Sequence, residues 1–92
     1  MEDKQSKAVT DHRKIRQWVE SRNGQPAQVK GTHQQGEIGM LRIDFPDGQD
    51  ENLEPITWDE FFDKFEEENL AFLFEDKTAA GETSYFNKLI NR

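Results

Sequence analysis

WDEFFDKFEEENLAFLF, residues 58–74, reads as a helix followed directly by a strand, and it holds much of the large apolar material of a polar chain. Thr57 stands at the N-cap with Glu60 three residues on, the capping-box spacing in which a hydroxyl and a carboxylate each satisfy an orphan amide. Ile56 and Phe61 occupy the positions of a hydrophobic staple. Trp58, Phe61, Phe62 and Phe65 fall at i, i+3, i+4 and i+7, one apolar stripe of a helix. Glu60 and Lys64 add an i, i+4 pair in the favourable order. Asn69 suits the left-handed residue that ends a helix. Leu70 to Phe74 then run apolar without interruption, as expected of an interior strand covered on both faces.

The rest of the composition limits what surrounds this unit. Ninety-two residues suit one domain, and a mean hydropathy of −1.03 leaves a small core built on ten clustered aromatics. Without cysteine there is neither a disulfide framework nor a thiolate metal site. The polar first nine residues do not resemble a signal peptide, and the longest apolar run is far short of a membrane span. A cytoplasmic setting without membrane contact is the expectation. The net charge of −7 is unevenly spread: residues 1–35 sum to +3 and residues 36–92 to −10. Bulk acidity argues against nucleic acid as the first partner.

Working outward, residues 1–9 lack periodicity and are expected to be a disordered tail. Thr10 or Asp11 can cap a helix to about Arg22, with Ile15, Trp18 and Val19 as its stripe and Asn23-Gly24 as its stop. Ala27–Thr32 and Ile38–Phe45 read as strands, the second placing Leu41, Ile43 and Phe45 on one face and Met40, Arg42 and Asp44 on the other. Residues 33–37 form a turn and Pro46–Pro55 a polar loop. Ser84–Ile90 reads as a strand returning on 70–76, although Phe86, Leu89 and Ile90 also fit a helical spacing. Asp11–Asn23 and Thr57–Asn69 echo one another, so the chain is either an αββ unit written twice or a chance likeness of common elements. The expected fold is α+β over residues 10–92: two helices on one face of a mainly antiparallel four-stranded sheet.

Residues fit for chemistry are scattered. Asp59, Glu60, Asp63, Glu66, Glu67 and Glu68 lie along a helix face where carboxylates stay solvated, and general acid–base work requires desolvated ones. His12 and His33 lack metal-ligand spacing. The loop from Asp44 fails the EF-hand register, because neither start places glycine at the sixth position with a carboxylate at the twelfth. No phosphate loop, dinucleotide fingerprint or nucleophile elbow is present. No cofactor, metal or catalytic residue is therefore expected. The basic patch His12, Arg13, Lys14, Arg16, Arg22 and Lys30 lacks interleaved exposed aromatics, and the acid-dense segment 44–68 could imitate a phosphate backbone. Arg13, Lys14 and Arg16 begin one helix and Glu66, Glu67 and Glu68 end the other, both against the helix dipole. Either solvent and salt screen them or they compensate each other as antiparallel neighbours, within the chain or across a dimer.

The segments DHRKIRQWVESRNGQPAQVKGT, GMLRIDFPDG, ITWDEFFDKFEEENLAFLF and DKTAAGETSYFNKLINR resemble a family of small stand-alone bacterial proteins of uncharacterised function, over residues 11–92. The likeness is most specific in W-D-E-F-F and L-A-F-L. Members often carry the label 1,4-α-glucan branching enzyme. A branching enzyme uses a (β/α)₈ barrel of about 250 residues, which these ninety-two cannot hold. The resemblance implies a bacterial source and a cytosolic setting, and it carries over no functional residue. The expected function is that of a non-catalytic module that binds a protein partner or its own copy. Candidate binding residues are Arg13, Lys14, Arg16, Arg42, Glu66, Glu67 and Glu68. A sheet face left bare by the helices would show Met40, Arg42 and Asp44, with Tyr85 and Asn87. The alternative is a nucleic-acid-associated role through the basic first helix.

Overall fold

The computed structural model describes residues 6–32, 36–47 and 52–92. Among them the order is β1 (Ser6–Val9), α1 (His12–Glu20), β2 (Gln25–Val29), β3 (Leu41–Asp44), β4 (Leu53–Pro55), α2 (Trp58–Glu67), β5 (Leu70–Glu75) and β6 (Asn87–Asn91). The caps form as the residues dictate. Asp11 accepts from the Arg13 and Lys14 N–H groups at 2.9 and 3.3 Å. Thr57 Oγ1 accepts from the Glu60 N–H at 3.0 Å while Glu60 Oε1 accepts from the Thr57 N–H at 2.9 Å, closing the capping box. Asn23 and Asn69 end the helices at φ 60° and 57°, where asparagine tolerates the left-handed region.

The class is α+β, but the single four-stranded sheet gives way to two three-stranded antiparallel sheets, ordered β1-β5-β6 and β3-β2-β4. Two short strands account for the difference. Residues 6–9, expected within a disordered tail, form β1 along the free edge of β5, with Val9 beside Phe72. Leu53–Pro55, expected within a loop, forms β4 on β2. Neither carries an alternating pattern; each is held by backbone hydrogen bonds to a strand whose edge would otherwise be unpaired. The return segment is strand, not helix, and β6 pairs with β5 from Leu70↔Asn91 to Phe74↔Asn87. β2 ends at Val29, with Gly31 in a turn at φ 81°.

Both helices cover the same side. Ile15, Trp18 and Val19 of α1 and Phe61 and Phe65 of α2 bury one cluster with Leu41, Ile43, Phe72 and Phe74 from the two sheets. Trp18 joins the sheets: its ring meets Phe45 at 6.0 Å and Phe74 at 5.3 Å, and its Nε1–H donates to the Glu75 carbonyl at 2.9 Å. The molecule measures 45 × 29 × 19 Å, its thinnest dimension suiting one layer of strands and one of helices spaced by about 10 Å. No described helix is long and apolar enough to cross a membrane.

The two halves share a plan. Shifting by 46 residues carries α1 onto α2, β2 onto β5 and β3 onto β6, with Asn23 landing on Asn69. The hairpin register shifts with them, Gln25↔Asp44 becoming Ala71↔Ile90. The shared order is βαββ, one strand longer than the αββ order read in the sequence. Each half lends its first strand to the other: β1 pairs with β5, and β4 with β2.

Candidate functional site

Direct partners in antiparallel strands project from the same face of a sheet. In the β1-β5-β6 sheet, Val9, Phe72 and Leu89 therefore face the helices, whereas Ala8, Leu73 and Lys88 face away, followed by Ala71 and Ile90. In the β3-β2-β4 sheet, Leu41 and Ile43 face the helices, and Arg42 with Ala27, Asp44 with Gln25, and Val29 with Leu53 face away. Met40 and Phe86 extend this outer face: their carbonyls accept from the N–H groups of Val29 and Glu75 at 2.9 and 3.4 Å. β3 and β6 are the inner edge strands and lie next to each other, so the outer faces adjoin.

Among the described residues the core cluster draws nothing from this face, although Ala27 and Ala71 on it are buried, at 0% and 7% exposure. Met40 is 51% exposed and Phe86 45%, and Val29, Leu53, Leu73 and Ile90 are half-buried without joining the core cluster. β5 was expected to be covered on both faces; it is flanked by strands on both edges, but only its Phe72 and Phe74 face joins the core cluster, Leu73 on the other being half-buried and Ala71 buried. Arg42 and Lys88 are exposed and occupy equivalent positions in the two halves, as do Met40 and Phe86. Arg42 donates to the adjacent Leu41 carbonyl at 2.9 Å. Asp44 accepts from the Gln25 amide at 3.3 Å, and Glu75 from the Ser84 hydroxyl at 3.0 Å.

Met40, Arg42 and Asp44 thus lie on the uncovered face as expected. Tyr85 and Asn87 do not: the register turns them to the helix side, where Tyr85 packs edge-on to Phe45 at 5.3 Å. Phe86 and Lys88, one residue along, take the places expected of them. The alternation Phe86-Lys88-Ile90 was the available signal, obscured by the competing helical spacing of Phe86, Leu89 and Ile90.

The charged candidates on the helices are brought together only in part. The helices run antiparallel, so the start of α1 meets the end of α2. His12 Nε2 lies 2.7 Å from Glu66 Oε2, and Arg92 Nη2 donates to the same oxygen at 2.8 Å. These hydrogen bonds, His12 first and then Arg92, hold the Glu66 carboxyl below the usual carboxylate range. Arg16 pairs instead with Glu20 on its own helix at 3.0 Å, and Glu68 with Lys64 at 3.4 Å. Arg13, Lys14 and Glu67 are exposed. The His12 ring stacks on Phe62 at 4.1 Å, and Trp58 stacks on Phe62 at 5.3 Å.

Arg22 leaves the basic patch altogether. Its guanidinium donates to the carbonyls of Ser84, Asp76 and Trp18 at 2.6, 2.8 and 3.1 Å and lies 4.2 Å over the Trp18 ring. Burial lowers its pKa from the usual arginine value, with Asp76 and Tyr85 opposing. It is a latch between α1 and the turn before β6. His33 and most of the acidic loop tested for calcium, residues 48–51, lie outside the described residues.

Beside the uncovered face, a groove of about 340 Å³ opens between β3, β6 and the end of α2, with Leu41, Leu70 and Leu89 below and Arg42, Lys64 and Glu68 at its rim. Among the described residues no group of three or more His, Cys, Asp or Glu side chains is placed to hold a metal ion. No family model, curated protein or solved structure matches this chain.

Proposed function

We propose that the chain is a non-catalytic binding module whose contact surface is the uncovered sheet face and whose partner is a protein. The observation that carries this reading is the apolar run of β5. A strand apolar on both faces normally has both covered, yet here only the Phe72 and Phe74 side joins the core cluster, leaving Leu73 on the other side half-buried. The other side offers Leu73, Ile90, Phe86, Met40, Val29 and Leu53, with Arg42 and Lys88 among them. Apolar area rimmed by charge marks protein docking sites. The cytoplasm and a bacterial source belong to the same proposal, and the likeness to small bacterial proteins adds no residue role to it. We further infer that the βαββ halves arose by duplication, since caps, left-handed residues and hairpin register recur at one spacing.

A photo-crosslinking amino acid placed at Phe86 or Leu73 in the native cell tests the surface. Adducts with protein are expected there, and none when the same group stands at Asp59 or Asp63 on the exposed side of α2. The reverse pattern overturns the reading. A nucleic-acid role through α1 would instead require adducts with nucleic acid at Arg13 or Lys14.

A further inference from the structure

We infer that the partner of the uncovered face is a second copy of this chain, the two sheets packing face to face about a two-fold axis. The inference rests on the reading of that face as a docking surface and names its occupant. Three observations favour a copy. The broad side of the molecule measures 45 × 29 Å, room enough for the roughly 800 Å² that each partner contributes to a standard interface. The face repeats within one chain, Met40 and Arg42 in one half standing where Phe86 and Lys88 stand in the other. An isologous pairing, in which one patch meets its own copy, can thus set Met40 and Arg42 of one chain against the like-built Phe86 and Lys88 of the other. Charge is the third. The chain carries −7, but Arg42 and Lys88 on this face are matched by Asp44 and Glu75. Two acidic molecules can meet here with cations of one copy facing carboxylates of the other. The aliphatic and aromatic side chains would interdigitate as in aligned sheet packing, about 10 Å between layers.

Sedimentation equilibrium of the full chain from micromolar to millimolar concentration tests this. A reversible monomer–dimer equilibrium is expected. Met40→Glu with Phe86→Glu should weaken association at least tenfold while the melting temperature of the monomer stays near that of the wild type. Arg42→Glu alone should weaken it with the fold intact, which guards against misfolding of the double variant. A dimer that survives both substitutions overturns the sheet-to-sheet pairing. A strict monomer at millimolar concentration also overturns it, whereas the docking reading fails separately, through absence of heterologous protein adducts at residue 86 as well.

Discussion

At the residue scale, Glu66 and Arg22 show how differently two charged side chains behave in one small protein. Glu66 is half-exposed and held by His12 and Arg92, which depress its pKa in the folded state. A depressed carboxylate contributes stability that is present above its unfolded pKa of about 4.3 and is lost as pH falls through the folded value. Glu66→Gln should therefore lower the melting temperature at neutral pH, with the difference from wild type shrinking below about pH 4 as wild-type Glu66 protonates. Acid titration followed by circular dichroism checks this, and an equal difference at every pH would refute it. Arg22 acts through geometry, its planar fork reaching three carbonyls. Arg22→Lys cannot span them and should cost about 2 kcal/mol, the range for hydrogen bonds to a charged group, measured by urea unfolding.

At the element scale, local chemistry and non-local pairing contribute separately. Thr57→Ala removes one arm of the capping box and should cost about 1 kcal/mol. Asn69→Ala leaves a methyl group in the left-handed region and should cost about 1–2 kcal/mol, whereas Asn69→Gly should be far milder. β1 makes the opposite kind of contribution, since its pairing protects β5 rather than satisfying any pattern of its own. A chain lacking residues 1–9 should unfold at lower urea and aggregate more readily, because an apolar strand then has an open edge. Unchanged stability and solubility would return that segment to the status of a tail.

At the scale of the whole molecule, strand exchange binds the halves into one cooperative unit. Neither half keeps its own first strand, and the buried cluster draws on both helices and both sheets. Urea unfolding should give one transition, with tryptophan fluorescence and far-ultraviolet dichroism coinciding, since Trp18 sits in the shared core. Two separated transitions would mean that the halves are independent. The uncovered face is also a property of this scale. Leu73 and Phe72 are adjacent residues of one strand, and only the placement of both helices on a single side separates a core position from a surface one.

The sequence by itself determined both helices with their caps and stops, the β5 strand, and the β2–β3 hairpin with Arg42 turned away from Leu41 and Ile43. Each is fixed by side-chain period or by capping chemistry within a few residues. The tertiary structure alone decided that there are two sheets rather than one, that Ser6–Val9 and Leu53–Pro55 are strands, and that Phe86 and Lys88 rather than Tyr85 and Asn87 share the open face. Backbone hydrogen bonds to a distant strand edge carry no side-chain signature, and one residue of register reverses every side chain of a strand.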